Sequence, residues 1–515
     1  MPVKTIIKPS EYRDSVSLMS VGQELARLPG VVDAAVVMAT EANKAILKEA
    51  GLLTPEAGAA SPNDLVIAIK ADNGALNQAI AEVEKLLQKK GAESQAAEFR
   101  PKTLRGAVKS SADANLAVIS VAGRYAAEEA REALHEGLHV LLFSDNVSLA
   151  DEIDLKKYAS EHGLLLMGPG AGTAIINGVA LGFADVIPAG PVGIVSAAGT
   201  GLQEVSTLLA KNGVGITQGI GTGGRDLSED VGGLMMLAGL RALQDDPATQ
   251  VILLVSKPPA ASVAKSVLDQ VALSDKPTVV CFLGANFQEV SSYTKRQPQR
   301  IYPARTLEEA ARLAADLAKF GRVESSARLD DGDAKELRAR LKPGQRYLRG
   351  LFSGGTLCYE AQVIWRDLLA EPVFSNAPLS KAHQLPDSSR SQQHTAVDLG
   401  EEEFTVGRLH PMIDNALRIR RLLQEARDPE VAAILLDVVI GYGAHPDPAA
   451  ELGPAIRKAR SLAAEAGRDL IVVASVTGTE QDPQCLSRQV QALQEAGVVV
   501  CASNAAAARL VAKLV

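Results

Sequence analysis

Residues 1–90 alternate between short apolar runs and stretches in which apolar residues recur at helical spacing. The runs predict three strands and three helices. In chain order these are Lys4–Ile7, Ser15–Leu28, Val31–Met38, Asn43–Glu49, Asp64–Lys70 and Leu76–Lys89. Three strands interleaved with helices in so short a segment predict a small ferredoxin-like split-βαβ domain over residues 1–95.

A second unit is predicted over residues 105–190, where the pattern becomes strand, helix, strand, helix, strand. The segments are Leu116–Val121, Tyr125–Glu136, His139–Phe143, Ala150–His162 and Leu164–Met167. This order is typical of a parallel sheet. Turn-forming residues follow each strand, at the edge where open α/β sheets bind ligands. We therefore expect a truncated Rossmann-like domain here.

From residue 191 the same order of elements occurs twice, over residues 191–325 and 344–515. Each copy has a buried strand, a loop of Gly, Ser and Thr residues, a helix, a Gly-Arg pair, a second helix, Asp-Pro and another strand. Arg225 precedes Pro247 by 22 residues, and Arg408 precedes Pro429 by 21. We predict two doubly wound, flavodoxin-like α/β domains, with Ser375–His394 as an insertion in the second.

Composition narrows the classes of function. The net charge is −8 and aromatic residues make up only 3%, which argues against a phosphate-backbone reader and against a base-stacking surface. The four cysteines lack paired spacing and no long apolar segment occurs. We expect a cytoplasmic α/β enzyme that binds small anions, with no metal, no contact with nucleic acid and no membrane association.

Two loops join a strand to a helix start through small residues. They supply the predicted phosphate-binding residues Ser196, Ala198, Gly199, Thr200 and Gly201 in the first copy and Ser353, Gly354, Gly355 and Thr356 in the second. A helix start exposes unpaired N–H groups and a partial positive charge. Neither loop has a GxGxxG motif or a P-loop lysine. The alternative for each loop is a simple capped turn.

A second group of candidates follows later strands in each copy. Gly223 and Gly224 precede Arg225, and Arg408 precedes His410 by two residues. Either arginine could bind a carboxylate or phosphate through its forked guanidinium, or could instead cap a helix. Asp437 interrupts an apolar strand, where an unpaired charge is unfavourable. It could orient a substrate amide, pair with Arg408, or serve as an ordinary strand-end partner.

Several runs resemble the succinyl-CoA synthetase superfamily over residues 112–515. Leu165–Gly170 is similar to the end of its CoA-binding domain, and Gly193–Glu204 to the strand, loop and helix of its α-subunit ligase domain. The second copy resembles the carboxyl domain of the β-subunit. The resemblance implies that the helix starts near Thr200 and Thr356 face each other. The family's phosphorylated histidine has no counterpart in Cys281–Gln288.

The whole chain is similar to the FdrA family. The runs that carry this resemblance are Asp14–Met19, Phe143–Val147, Gly223–Leu227, Ser256–Pro259, Leu436–Gly441 and Val476–Glu480. It implies one component of an oligomeric, multi-subunit oxamate carbamoyltransferase, which acts together with partner subunits and converts oxalurate and phosphate to oxamate and carbamoyl phosphate.

The resemblance also suggests roles for individual residues. The paired helix starts would hold phosphate, while Arg225 or Arg408, with Asp437, would act on the ureide acid. No bound cofactor is expected for that reaction. One alternative is a CoA-ligase-type subunit that uses CoA and an ATP-binding partner subunit. The other is a non-catalytic scaffold subunit.

Overall fold

The computed structural model describes residues 3–9, 11, 15–26, 28–92, 101, 103–285, 290, 300–323, 334–405 and 408–515. The chain forms two compact units. One comprises Met1–Pro101 with Glu402–Leu409, and the other Lys102–Glu401 with His410–Val515. No helix in the described part of the chain combines the length and the apolar character that crossing a bilayer requires.

The first unit is a three-stranded antiparallel sheet covered by helices. Its elements in chain order are β1 (Val3–Lys8), α1 (Ser15–Ala26), β2 (Val31–Met38), α2 (Glu41–Glu49), α3 (Pro55–Ala59), β3 (Leu65–Ala71) and α4 (Asn73–Ala92). The strand order is β1-β3-β2. Strand β3 runs antiparallel to both neighbours, so β1 and β2 are parallel with one strand between them. This is the predicted split-βαβ arrangement.

The second unit begins with a small parallel sheet of order β4-β5-β6. Its elements are α5 (Leu104–Ser110), β4 (Leu116–Ile119), α6 (Gly123–His135), β5 (His139–Leu142), α7 (Leu149–Glu161) and β6 (Leu166–Met167). The hairpin β7 (Thr173–Ile176) and β8 (Val179–Gly182) follows. Strand β7 pairs antiparallel with the sheet of the first repeat. That sheet therefore begins before residue 191, and the sequence pattern did not predict the hairpin.

The first repeat completes a seven-stranded sheet of order β13-β12-β11-β9-β10-β7-β8. Its elements are β9 (Ala189–Ser196), α8 (Gly199–Lys211), β10 (Ile216–Gly221), α9 (Leu234–Asp245), β11 (Val251–Ser256), α10 (Ala261–Val271), β12 (Thr278–Phe282), β13 (Ile301–Pro303) and α11 (Leu307–Phe320). Apart from the hairpin, the pairings in this sheet are parallel.

The second repeat contains a six-stranded parallel sheet of order β15-β16-β14-β17-β18-β19. The elements are α12 (Ala334–Ala339), β14 (Tyr347–Phe352), α13 (Gly355–Leu368), β15 (Val373–Ser375), a 3₁₀ turn (Lys381–His383), β16 (His394–Asp398), α14 (Glu402–Thr405), α15 (Ala416–Glu425), β17 (Val431–Val439), α16 (Pro448–Glu465), β18 (Ile471–Thr477), α17 (Leu486–Glu495), β19 (Val499–Cys501) and α18 (Asn504–Ala512). Helix α14 belongs to the first compact unit.

The strand orders confirm the predicted duplication. In the first repeat the strands run β10-β9-β11-β12-β13, and in the second β16-β14-β17-β18-β19. Both follow the flavodoxin-like order 2-1-3-4-5. The outer neighbours differ, since the hairpin β7-β8 flanks β10 whereas β15, from the insertion, flanks β16.

A shared core and buried polar contacts join the two repeats. Glu204 on α8 accepts hydrogen bonds from Thr477 Oγ1 at 2.5 Å and from the amide of Asn504 at 3.0 Å. Lys211, at the end of α8, donates to the carbonyl of Val476 at 2.9 Å. Buried apolar residues of α8, α11, α13 and α18 form one cluster. The repeats therefore pack as one body, which fixes the starts of α8 and α13 relative to each other.

Candidate functional site

The predicted loops lie at the switch point of each sheet. Strand β9 lies between β10 and β11, and β14 between β16 and β17. In open α/β sheets, ligands bind outside the carboxyl ends of the strands where the strand order reverses. Ser196 ends β9 and Ser353 follows β14. The predicted loops therefore lie at the edge of each sheet where this rule places a ligand.

The starts of α8 and α13 are in direct contact. The backbone N–H of Thr356 donates to Thr200 Oγ1 at 3.2 Å. A methyl group placed on Gly354 would lie 2.8 Å from Thr200 Cγ2, and one placed on Gly201 would lie 3.0 Å from Thr356 Cγ2. Glycine is required at these positions because the threonine of the opposite helix fills the space. The geometry confirms that the two helix starts face each other.

The start of α8 retains free backbone donors. Ser196 Oγ accepts from the amide of Ala198 at 3.1 Å, so this side chain stabilises the loop instead of capping the helix. Within the described part of the chain, the amides of Gly199, Thr200 and Gly201 have no hydrogen-bond partner. Gly199 is partly exposed. These three N–H groups and the partial positive charge of the helix form an environment suited to an anion.

The start of α13 differs because a carboxylate of the chain itself binds the donors of the loop that precedes it. Asp437, on β17, accepts from the amides of Ser353 and Gly354, both at 2.7 Å, and from Ser353 Oγ at 3.0 Å. Two of the donors that we expected to hold phosphate are therefore already bound. At this start, the amide of Gly355 has no partner among the described residues.

Asp437 pairs with Arg418 and not with Arg408, which excludes one of the three roles that we considered for it. Arg418 Nη1 lies 3.0 Å from Asp437 Oδ1, and both side chains are almost fully buried. Burial raises the pKa of Asp437, while the Arg418 guanidinium and the amides of Ser353 and Gly354 oppose that rise. Because all its acceptor positions face protein donors, Asp437 orders the loop before α13.

Two residues that we had not assigned to the site lie beside Gly355. Lys257 directly follows β11, and Asp398 ends β16. A methyl group placed on Gly355 would lie 2.5 Å from Asp398 Oδ2 and 3.8 Å from Lys257 Nζ. Asp398 is only 3% exposed, and burial raises its pKa to about 7 against the opposing charge of Lys257. A carboxyl group that titrates near neutral pH is typical of a functional site.

His410, which we predicted as a site residue, lies close to the second loop. A methyl group placed on Gly400 would lie 2.8 Å from His410 Nε2, 3.0 Å from the carbonyl of Ser353 and 3.2 Å from Asp398 Oδ1. His410 Nδ1 accepts from the amide of Met412 at 3.3 Å. Burial, assisted by the nearby Arg418 guanidinium, lowers the pKa of His410 to about 4. The imidazole is therefore neutral at physiological pH.

Arg225 binds a different part of the chain from the helix starts. Its Nη2 donates to the carbonyl of Val147 at 2.8 Å, and its Nε lies 2.7 Å from Glu152 Oε2. Gly223 has a φ of +87°, and a methyl group there would lie 2.7 Å from the carbonyl oxygen of Pro169. These contacts tie the first repeat to the β4-β5-β6 sheet. They correct our expectation that Arg225 is free to clamp a substrate carboxylate.

Among the described residues, the structure shows no contact that assigns a role to the other two candidates, Gly224 and Arg408. A methyl group placed on Gly224 would meet no atom within 4 Å. Arg408 is exposed and belongs to the first compact unit. Its role as a carboxylate clamp stays a prediction.

Three family models match the chain. The model for the AllF heavy metal-associated domain matches residues 1–102, the CoA-binding domain model 189–284 and the CoA-ligase model 351–514. The CoA-binding match falls on the first repeat, whereas we expected a CoA-binding-type domain at residues 105–190. The two repeats thus match CoA-binding and CoA-ligase models.

The name of the N-terminal family model raises the question of a metal. Residues 1–102 contain neither cysteine nor histidine, which are the ligands that soft and borderline metals require. No cluster of three potential ligand side chains occurs among the described residues of the whole chain either. The composition of this domain therefore does not fit a heavy-metal site.

Individual proteins extend the comparison. YahF of Escherichia coli strain K12 is 47% identical over 506 residues, covering 98% of this chain and 97% of its own length. The α-subunit of the ADP-forming succinate–CoA ligase of Methanothermobacter thermautotrophicus is 28% identical over 28% of this chain and 49% of its own length. A dinucleotide-forming acetyl-coenzyme A synthetase of Candidatus Korarchaeum cryptofilum aligns over 78% of this chain and 82% of its own, with 16% identity and a TM-score of 0.34. The match to YahF and the three family models show that the chain belongs to the FdrA family, in which an AllF-type N-terminal domain is fused to CoA-binding and CoA-ligase domains of the succinyl-CoA synthetase kind.

Proposed function

We propose that the chain is a subunit of a CoA-ligase-type enzyme and holds the phosphoryl end of an acyl phosphate during acyl transfer to CoA. In that step the thiol sulfur bonds to the acyl carbon, the bond from that carbon to the phosphate oxygen breaks, and the thiol proton leaves. The observation that carries the proposal is the pair of helix starts that no side chain of their own segment caps, joined by the hydrogen bond between Thr200 and Thr356. The matches to the CoA-binding and CoA-ligase models support it.

The helix starts provide the positive potential that the chain as a whole lacks. With a net charge of −8, the protein does not attract anions through its overall field. Each helix start carries about half a positive charge, and the amides of Gly199, Thr200, Gly201 and Gly355 are free to donate. Fixed donors of this kind stabilise the charge that develops on a departing phosphate. An ATP-binding partner subunit would supply the acyl phosphate.

The test replaces one amide donor at the start of α8. Gly199 is the first residue of the helix, where proline is tolerated, and Ala198 before it is extended with φ −146° and ψ 104°, a conformation compatible with proline. Gly199→Pro therefore removes one N–H and keeps the helix. Gly199→Ala is the matched control, because its methyl group would make only an ordinary contact, 3.6 Å from Thr173 Oγ1.

The full-length wild-type chain, Gly199→Pro and Gly199→Ala are titrated calorimetrically with phosphate and acetyl phosphate. We expect wild type and Gly199→Ala to bind both ligands, and Gly199→Pro to bind them about tenfold more weakly, the effect of losing one hydrogen bond to a charged group. Equal affinities in all three proteins would remove the start of α8 from the anion site. A wild-type chain that binds neither ligand would favour the scaffold alternative.

Carbamoyl transfer is the second candidate function. Two observations favour it: the N-terminal family model is of the AllF type, and the stretch Cys281–Gln288 contains no histidine to carry a phosphoryl group. In this reaction phosphate attacks the carbamoyl carbon of oxalurate, the carbon–nitrogen bond breaks, and the oxamate nitrogen takes up a proton. The same helix starts would bind the phosphate.

An assay with the partner subunits present separates the two candidates. Carbamoyl phosphate formed from oxalurate and phosphate without CoA supports carbamoyl transfer. A thioester formed from CoA and acetyl phosphate, with no phosphorolysis of oxalurate, supports the CoA-ligase function.

A further inference from the structure

Two charged side chains converge on the start of α13 without bonding to each other. Asp398 Oδ2 and Lys257 Nζ lie 2.5 Å and 3.8 Å from the position of a methyl group on Gly355, so both atoms border the same small space. Asp398 Oδ1 accepts from the amide of Gly400 at 2.9 Å. Within the described part of the chain, Oδ2 accepts no hydrogen bond although the residue is only 3% exposed. Lys257 makes no hydrogen bond or ion pair there, and its Nζ lies 5.5 Å from the centroid of the Tyr359 ring. A carboxyl oxygen that has no donor, in a residue otherwise packed against protein, marks a place where a ligand group can bind.

We propose that Lys257, Asp398 and the amide of Gly355 form an oxyanion site that takes up one proton when the anion binds. The inference rests on the proposed function, because it assigns the α13 side of the same anion site. Its ligand class is a phosphate, a sulfate or the phosphoryl end of an acyl phosphate. Lys257 and Gly355 donate to the anion. The proton, taken from solvent, binds to Asp398 Oδ2, which then also donates.

The proton is required because an ionised Asp398 would repel the ligand. Two negative groups in hydrogen-bond contact in a partly buried site disfavour each other strongly. A neutral carboxyl group instead converts the repulsion into a hydrogen bond. The filled site therefore binds the proton more tightly than the empty one, and anion affinity depends on pH.

The surroundings of Asp398 place this linkage near neutral pH. The ionisable groups that face it from the neighbouring elements are Lys257, Glu401, Asp437, the buried thiol of Cys358 on α13, whose own pKa is raised well above its usual value, and, beyond Gly400, His410. Burial raises the pKa of Asp398 to about 7; Glu401 and Asp437 add to the rise and Lys257 opposes it. His410 stays neutral because its own pKa is lowered to about 4, so it does not titrate in the same range.

The test uses sulfate, which keeps its charge between pH 6 and 8, so that changes in affinity report on the protein. The full-length chain is titrated calorimetrically at pH 6, 7 and 8 in two buffers of different ionisation enthalpy, which gives the number of protons taken up. For a linked group of pKa about 7, we expect wild-type affinity to be about tenfold weaker at pH 8 than at pH 6. We also expect close to one proton to be taken up per sulfate at pH 8.

Two variants assign the effect to the named side chains. Asp398→Asn should bind sulfate with the same affinity at all three pH values and without proton uptake. Lys257→Met should bind about tenfold more weakly at pH 6 and keep a proton linkage that is shifted to higher pH, because Lys257 no longer opposes the rise in the pKa of Asp398. Lys265→Met and Asp269→Asn are the matched controls, because these residues form an exposed ion pair on α10, and they should behave as wild type.

The outcomes separate this inference from the proposed function. Equal wild-type affinities at pH 6 and 8, or proton uptake that persists in Asp398→Asn, would overturn the proton linkage and leave the anion site standing. The Gly199→Pro titration tests that site independently through α8. No binding of sulfate at any pH, together with no binding of phosphate, would overturn both proposals.

Discussion

The backbone N–H of Thr356 donates to Thr200 Oγ1 at 3.2 Å, although the two residues lie 156 positions apart in the chain. Each threonine is the second residue of its helix, and the helices occupy equivalent places in the two repeats. The duplication therefore produces a pseudo-symmetric contact at the point where both helices present their positive ends. In most helices a side chain of the same segment caps this end; here the opposite repeat supplies the acceptor.

The close approach of the two helix starts depends on glycine at position 354. In Gly354→Ala the new methyl group would lie 2.8 Å from Thr200 Cγ2 and 3.1 Å from Asp437 Oδ2. We expect a loss of about 1–3 kcal/mol in stability, as is typical of overpacking, measured as a lower midpoint of thermal unfolding. Gly344→Ala is the control, because nothing lies within 4 Å of its added methyl group. A Gly354→Ala protein as stable as this control would contradict the contact.

The carboxylate of Asp437 organises the second loop. Asp437→Asn removes the charge opposite Arg418, which is 2% exposed, and leaves that guanidinium buried and unpaired. We expect a loss of about 3 kcal/mol, as is usual when one partner of a buried pair is removed. Chemical denaturation compared with Asp367→Asn, a substitution in an exposed ion pair, measures the effect. Similar stabilities of the two variants would show that Asp437 is not needed to hold the loop.

The architecture was predictable because it depends on local patterns. Apolar runs of strand length and turn residues between them identified β2 with its exact bounds, and the matched spacing of the two copies revealed the duplication. Helices α8 and α13 begin inside the predicted loops, at Gly199 and Gly355. Their first residues are glycine and threonine, which favour loops locally. Packing between the two repeats overrides that preference.

Contacts between side chains that are far apart in the chain were harder to predict from the sequence. The charge of Asp437 within an apolar strand correctly indicated a buried partner, but the partner is Arg418 on α15 and not an arginine next to glycine. Lys257 lies in a run that we used only for resemblance, and we did not consider Asp398 as a site residue. Only the three-dimensional arrangement of β11, β16 and α13 brings these two residues together, so no spacing rule could have paired them.

Arg225 provides a test of the corrected assignment. Its guanidinium contacts Glu152 and the carbonyl of Val147, and its side chain is 48% exposed. Glu152 is buried but keeps its ion pair with Lys156 at 2.9 Å. We therefore expect Arg225→Ala to lower stability by about 1–3 kcal/mol, more than the loss of an exposed ion pair, and to leave the calorimetric affinity for phosphate unchanged. A tenfold loss of affinity in a protein of wild-type stability would return Arg225 to the anion site.

The buried side chain of Glu360, on α13, should make the stability of the folded chain depend on pH. It is buried on α13, where it accepts from the amide of Leu307 at 2.7 Å and from Asn504 Nδ2 at 2.8 Å. Burial raises its pKa to about 8. The folded state therefore holds this proton more tightly than the unfolded state. Its contribution to stability is fully present below the pKa of an ordinary glutamate and is lost as pH rises through about 8.

Glu360→Gln removes this titration and keeps the size of the side chain. The stability of wild type relative to the variant should fall between pH 5 and 8 by up to about 1.4 kcal/mol per pH unit, and the difference should become constant above pH 9. Thermal unfolding midpoints of both proteins at pH 5, 7 and 9 measure the change. Asp398 titrates in both proteins, so its contribution cancels in the comparison. Unfolding midpoints that change equally with pH in the two proteins would show that Glu360 is already ionised in the folded chain. A buried carboxylate with only two neutral donors would then need a nearby cation, which the described contacts do not provide.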